Sequence, residues 1–388
     1  MLLEEYLKTL VTPQEIMKLS EEPYNLSVSH QVDTDGTGAY ILDYNQITSP
    51  RFDPLVDRCR GIVLDDTTLD IVCNTFKRFY NAGEDPRTDD FDFAYSVSFE
   101  KVDGSLIKVY YYKNKWRIGT RGTAFANNTI TCFDGEDGKI TFKDLFLKTL
   151  NVTYEAFQEI MNYHCDKDVT YMFELCTMEN RVVTHYPTDR VYLTGSIDNK
   201  EYHDSNIMDL LELYTRLNLV FDALHFPQYC EHTSINSVIE HAETLTDLQE
   251  GFVLCENGLS EDELTFKFRL KIKSKAYLHA HRIRGNGLTP KRVFDLVYAN
   301  EHIEFLVYYP EYQKFFDTYI EKYDIMKQEI SGVYEKIKHL DDKKSYALEA
   351  TKHEFCYFLF DMKQKHHTLE ESLSGANINL MYRLMGIK

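Results

Sequence analysis

"LTFKFRLKIK", residues 264–273, alternates without a break: Leu264, Phe266, Phe268, Leu270 and Ile272 are apolar, and Thr265, Lys267, Arg269, Lys271 and Lys273 are polar or basic. Successive side chains of an extended chain point to opposite sides. A strict period of two therefore predicts a strand with one apolar face and one basic face. From Lys267 to Arg292 there are nine Lys or Arg and no Asp or Glu. Solvated lysines commonly protect a sheet edge. Cations held in register on a rigid strand also make an anion site suited to phosphates. A solvated edge does not require a single sign of charge, so the phosphate reading is favoured.

The rest of the composition frames that strand. A chain of 388 residues exceeds the length at which one core stops growing, which predicts two domains. A hydrophobic fraction of 43%, with 28 Tyr and 24 Phe, supplies ample core. The net charge of −19 excludes a globally basic nucleic-acid coat protein. It does not exclude an enzyme with one basic groove, because screening confines charge effects to about 8 Å at physiological salt. Eight cysteines without a CxxC pair suggest thiols of a reducing compartment rather than disulfides or a zinc site. The opening "MLLEEYLKTL" is acidic and too short in apolar length for a signal peptide, and no apolar run reaches membrane-spanning length. The expectation is a soluble, cytoplasmic protein with no membrane partner.

Periodicity predicts a helix over 4–20, then short strands from "AYILDYN" (39–45) to about 118. "GIVLDDTTLDIVCNTF" (61–76) reads as a hairpin turning at "DDTT", and "KN" (113–114) as another hairpin tip. A helix is expected over 142–163, strands at 169–175 and 190–197, and a helix at 205–217. Beyond about 290 strand signals vanish, and 315–340 and 345–364 have helical spacing. The fold class is therefore α+β: a mixed domain over 1–285, followed by an all-helical domain over 286–388.

"EKVDGSLIKVYYY" (100–112) sets a lysine at the end of a strand, before Asp103, Gly104 and Ser105. A free lysine has a pKa of about 10.4, so roughly one in a thousand is uncharged near neutral pH. Desolvation or neighbouring cations would make it nucleophilic. Lys101 close to Lys271 and Lys273 would have both; alternatively it snorkels out of a core.

"KVDGS" at 101–105 resembles the K-x-D-G signature of the covalent nucleotidyltransferases, which include ATP-dependent ligases and mRNA capping enzymes. "RGIV" (60–63), "MFELCTMENRVV" (172–183), "EGFVL" (250–254) and "KIKSKAY" (271–277) resemble that family's other motifs, in its order. "CRGI" (59–62), "RFYNAGE" (78–84), the "NR" at 180–181 and "DDKKSYALEA" (341–350) narrow the likeness to the tRNA-repair RNA ligases of T-even-type bacteriophages. The resemblance covers nearly the whole chain. It implies an adenylation domain of ATP-grasp-like antiparallel sheets with flanking helices, and a helical domain that selects tRNA at the broken anticodon loop of a nicked substrate. The implied chemistry is three in-line substitutions at phosphorus: a lysyl–AMP forms, AMP moves to an RNA 5′-phosphate, and a 3′-hydroxyl displaces it.

By the same resemblance Lys101 is the nucleophile, with ATP as co-substrate. Glu174 would bind the ribose hydroxyls, and Glu250 would hold Mg²⁺ or Mn²⁺. Lys271 and Lys273 would grip the ATP phosphates and lower the pKa of Lys101. Tyr44 and Arg60 match nucleotide-binding positions, and Tyr277 another essential one. Arg78 (with Lys77 beside it) and Arg121 stand where the family has lysines, which keeps the charge and changes its geometry. Glu301 is a candidate for a metal-binding acid early in the helical domain. A monomer is expected.

Other signals carry less. "VDTDGTG" (32–38) resembles an aspartyl-phosphatase motif but follows no fully apolar strand, and as a calcium loop it ends on Tyr44 instead of Glu. It is read as a turn. "GNG" (285–287) is read as a domain junction, and His279 and His281 as contacts to RNA phosphate, or to nothing. Within the same chemistry, a DNA ligase or a capping guanylyltransferase would normally continue into a β-barrel domain, whereas this chain turns helical. A catalytically silent RNA-binding protein would have no use for Lys101.

Overall fold

In the computed structural model the alternating strand lies next to the edge of a five-stranded sheet. The structure describes residues 1–130, 140–200, 202–257, 266–284 and 288–387, so Leu264, Thr265 and the "GNG" turn lie outside the described residues. The chain divides into two compact units, Met1–His281 and Arg282–Lys388.

Among its described residues the first unit holds three sheets. β1 (Leu26–Val32), β2 (Gly38–Tyr44), β3 (Arg60–Asp65) and β4 (Ile71–Cys73) form an antiparallel meander. A short β5 (Tyr80–Asn81) leads to β6 (Ser96–Lys101), β7 (Ser105–Tyr112) and β8 (Lys115–Thr120). Next come β9 (Val169–Cys176), β10 (Arg190–Asp198), β11 (Leu224–His225), β12 (Tyr229–Cys230), β13 (Gly251–Asn257) and β14 (Phe266–Lys273). The second sheet has the order β11-β10-β9-β7-β8, and the third β12-β6-β13-β14-β5. Most pairs are antiparallel, and the fold is α+β.

The period of two in β14 does what it predicts. Leu270 and Ile272 are buried with Phe252 and Leu254 against Val238 and Ala242 of the helix Ile235–Thr244. Each such side chain stabilises by roughly 1.5–3 kcal/mol. A slip of one residue would bury Arg269, Lys271 and Lys273 instead, so the apolar face fixes the register of the basic one. A larger core, with Trp116, Phe146, Phe157, Phe173 and Phe221, packs β7–β10 against the helices Phe142–Thr149, Tyr154–His164 and Ile207–Asn218.

Three expected helices are broken, each for a local reason. The stretch 4–20 splits into Leu3–Leu7 and a 3₁₀ helix Pro13–Ser20, because Thr12 before Pro13 is extended and caps the second piece with Glu15. The stretch 142–163 is interrupted where Asn151 takes φ 57° and Thr153 caps a new helix. The stretch 345–364 becomes Lys343–Ala350 and Cys356–Lys365. β1 was not anticipated. The "VDTDGTG" turn joins it to β2, and its Asp33 and Asp35 bind Arg117 Nη1 at 2.5 and 3.0 Å. Lys113 and Asn114 at the "KN" tip both take positive φ, as a tight hairpin turn requires.

The second unit is helical. Its longest helix, Gln313–Ile337, packs Met326 and Ile330 with Phe294, Tyr346, Phe358 and Met381. Glu301 directly precedes the helix His302–Tyr308. No helix among the described residues is long and apolar enough to cross a membrane, and the described cysteines are free thiols.

Candidate active site

Lys101, Gly251 and Lys273 lie opposite one another in adjacent strands, β6, β13 and β14. Directly opposed residues point to the same side of a sheet, so the two lysines flank a position that has no side chain. Two residues away on that face lies the row Phe99, Val253 and Lys271, and beyond it Val97, Cys255 and Arg269. The basic face of β14 is therefore the face that carries Lys101.

Gly251 has φ +141°, and a Cβ there would come within 2.0 Å of the Ile272 carbonyl oxygen. The residue before it, Glu250, is 3% exposed and reaches between the lysines. Its Oε2 accepts from Lys101 Nζ at 2.7 Å, and its Oε1 lies 2.7 Å from Lys273 Nζ. Burial alone would raise the Glu250 pKa, but the two ammonium groups hold it below the usual carboxylate range.

This arrangement corrects one expectation. Burial does push the Lys101 amine down, but the charges of Glu250, Glu174 and Asp103 outweigh it, and the pKa of Lys101 is raised. The neighbouring lysines do not prevail because a carboxylate stands between Lys101 and Lys273. Lys271 is the depressed amine. Burial first, then Lys273, Lys101 and Arg60, bring it to about 8.

The K-x-D-G segment is locked by hydrogen bonds. Asp103, 4% exposed, accepts from Val183 N at 2.7 Å, Thr184 N at 2.8 Å and Tyr277 Oη at 2.8 Å. Tyr277 thus reaches the site through Asp103, with Lys273 Nζ 4.9 Å from its ring centroid. Gly104 packs on β9, where a Cβ would meet the Leu175 carbonyl oxygen at 2.3 Å, and its N–H donates to Glu174 Oε1 at 3.1 Å. Asn180 ties Ser105 to the Leu175 carbonyl. Asp103, Gly104, Asn180 and Gly251 lie inside the quoted motifs, but only the folded geometry reveals their tasks.

Glu174 of β9 faces Lys101 across the gap between the second and third sheets. Burial pushes its pKa up to about 7 against the pull of Lys101, with Glu250 adding to the rise. Between these sheets lies a cavity walled by Phe76, Phe79, Phe99 and Leu106, with Lys101, Glu174 and Arg60 also on its wall. An apolar slot with a few charged groups on one side suits a flat heterocycle carrying a charged tail.

Arg60 links this cavity to a second group. The charges of Glu174, Arg121 and Asp43 all act on it. Tyr44 is held between two guanidinium groups, Arg78 at 4.2 Å and Arg121 at 4.4 Å. Arg121 is fixed by Asp43 at 3.1 Å. Within the basic run, Arg269 is paired with Asp204 and Lys275 with Glu243, so neither is a bare phosphate grip.

Among the described residues no group of three or more His, Cys, Asp or Glu could hold a metal ion. Both Glu250 oxygens are engaged by Lys101 and Lys273 here; released from them, Glu250 and the neighbouring Glu174 would be the oxygen donors for a hard cation held by one or two carboxylates, phosphate oxygens and water. A magnesium-like ion fits that set.

The model of a family described as RNA ligase matches residues 58–277. A protein of Autographa californica nuclear polyhedrosis virus, named for polynucleotide kinase and RNA ligase activities, is 32% identical over 72% of this chain; the chain spans 39% of that relative. An RNA ligase of Rhodothermus phage RM378 is 25% identical, over 72% of each chain. Among solved structures, a Naegleria gruberi RNA ligase variant with AMP and Mn aligns over 54% of this chain and 58% of its own, at 15% identity and a TM-score of 0.40.

Proposed function

Because this chain belongs to the RNA ligase family, we propose that it is an ATP-dependent RNA ligase that joins 5′-phosphate and 3′-hydroxyl RNA ends through lysyl–AMP and RNA–adenylate intermediates. One observation carries the reading: Lys101 and Lys273 flank Gly251 on one sheet face, with Glu250 between the amines. A protein that only binds RNA has no use for a lysine held this way.

Lys101 Nζ would attack the α-phosphorus of ATP. The ammonium first loses one proton to water; the amine then forms a nitrogen–phosphorus bond as the bond to pyrophosphate breaks, and the nitrogen's second proton passes to water. Lys271 and Lys273 would neutralise the leaving pyrophosphate, and Arg60 and Glu174 would orient the nucleoside. Glu250 keeps Lys101 charged in the free protein, so the amine becomes a nucleophile only when that ion pair is broken. Glu250 would hold Mg²⁺ or Mn²⁺, which when bound supplies positive charge against the phosphates. Tyr277 would position Asp103, and through it the K-x-D-G segment.

The substrate is read as a nicked tRNA, the setting as tRNA repair in the cytoplasm, and the protein as a monomer of the T-even-type RNA ligase kind. Residues 1–285 would carry the chemistry and 286–388 the tRNA preference. Incubation with labelled ATP or GTP tests the chemistry. Acid-stable label from ATP that disappears in Lys101→Ala is expected; label only from GTP would indicate a capping enzyme, and none a silent binder. Equal sealing of tRNA and unstructured RNA would count against tRNA repair.

A further inference from the structure

A second cavity lies behind the first within Met1–His281. Phe79 and Arg269 line both, so the two cavities adjoin at those side chains. Its wall carries Arg58, Lys77, Arg78 and Arg87 against Glu4, Asp57, Asp85 and Asp204.

The carboxylates are largely committed. Glu4 accepts from Arg58 Nε at 3.2 Å, Asp85 from Arg87 at 3.0 and 2.8 Å, and Asp57 from Tyr80 Oη at 2.5 Å; Asp204 is paired with Arg269. Lys77 and Arg78 have no ion pair among the described residues; their neighbours include rings, Tyr202 for Lys77 and Tyr44 for Arg78. Three buried polar atoms are left without a partner: the donors Arg58 Nη1 and Arg78 Nη1, and the acceptor Asp204 Oδ1. Orphaned buried groups of both kinds point to an occupant that supplies acceptors and a donor.

Two aromatic residues on the wall share an unusual backbone. Phe52 has φ 61° and Tyr202 φ 59°, a left-handed conformation that bulky residues avoid. Such strain concentrates at ligand sites. Phe52 N–H is held by Tyr80 Oη at 3.0 Å, and its ring is 42% exposed. An exposed ring fixed in place beside unpaired cations is a stacking platform with a phosphate grip.

Building on the ligase reading, we propose that this cavity holds a nucleotide of the RNA strand being sealed. Its phosphate sits on Lys77 and Arg78, and its base stacks on Phe52. The 2′-hydroxyl donates to Asp204 Oδ1, a bond that DNA cannot make.

The test uses the full chain with Phe52→Ala and Lys77→Ala. Each is assayed for labelling by ATP and for binding of a fluorescent 5′-phosphorylated RNA and of DNA of the same sequence. The expected result is normal labelling, RNA binding weakened about fivefold or more in each variant, and a smaller salt dependence in Lys77→Ala, by about one unit of log–log slope. Asp204→Asn should narrow the gap between RNA and DNA. Labelled variants that bind RNA as the parent does would overturn the proposal. So would a Lys77→Ala variant with impaired labelling, since the cavity would then serve ATP. Absence of label in the parent protein would instead remove the ligase reading itself.

Discussion

Lys101 Nζ and Glu250 Oε2 are 2.7 Å apart, and the other oxygen of that carboxylate is 2.7 Å from Lys273 Nζ. The Glu250 carboxylate strengthens the hold of Lys101 on its proton. The free protein thus keeps the Lys101 amine charged. Glu250→Gln should lower the Lys101 pKa by removing its main charged partner, at the cost of the proposed metal ligand. Mass mapping of amine acylation across a pH series checks this: Lys101 should react at lower pH in the variant, and an unchanged profile would sink the idea.

Lys271 behaves oppositely. Its pKa of about 8 means that it holds most of its charge at pH 7 and loses it as pH rises through 8. If that charge grips the ATP phosphates, kcat/KM for labelling should lose the Lys271 contribution above pH 8, because this ratio reports the free enzyme. Lys271→Arg cannot deprotonate and should extend activity to higher pH, while Lys271→Ala should abolish labelling. Labelling by Lys271→Ala at the normal rate would remove the assignment.

Gly251→Ala should fail for a geometric reason. The new Cβ would stand 2.0 Å from the Ile272 carbonyl oxygen on a backbone at φ +141°. Relief requires β13 and β14 to part where Lys101 and Lys273 face each other. We expect a loss of at least about 3 kcal/mol and no labelling. A denaturant melt with an unshifted midpoint would contradict it.

Tyr277→Phe removes one donor from buried Asp103 and leaves the two backbone donors of Val183 and Thr184. The loss should be about 1–3 kcal/mol of stability. As a positioning residue, Tyr277 should lower kcat for labelling more than it raises KM for ATP. An effect on KM alone would place it on the nucleotide instead.

Why the strand faces could be read in advance, and other features not, has a physical basis. In β14 one side chain in two meets the core, so alternation in sequence is alternation in space. Short motifs likewise keep Lys101, Asp103 and Gly104 together. The protonation of Lys101 escaped because it depends on Glu250, which is distant in sequence and brought near by a glycine bend. The cavity behind Phe79 gathers Phe52, Arg58, Lys77 and Tyr202 from separate segments, none with a pattern of its own. Helix breaks at Asn151 and Thr12–Pro13 were visible as cap and proline signals but were overridden by apolar periodicity.

Lys108 offers the last test, of an element outside the chemistry. It is wholly buried in β7 and donates to the Gly61 carbonyl oxygen. Burial pulls its pKa down to about 8, only partly opposed by Cys73 and Asp43. A lysine depressed in the fold contributes stability that is present above its unfolded pKa and lost as pH falls through the folded one. The drop from 10.5 to about 8 corresponds to roughly 3 kcal/mol at neutral pH. Lys108→Met keeps the stem and removes the charge, but loses a hydrogen bond worth about 1–3 kcal/mol to a buried carbonyl. The two effects nearly cancel at pH 7. What should change is the slope: between pH 8 and 10 the parent gains stability from this group and the variant does not. Tyrosines and cysteines titrate in both proteins, so the difference between the two denaturation series isolates Lys108. Parallel curves across that range would show that the amine keeps its proton in the core as it does in the unfolded chain, and that burial does not depress its pKa.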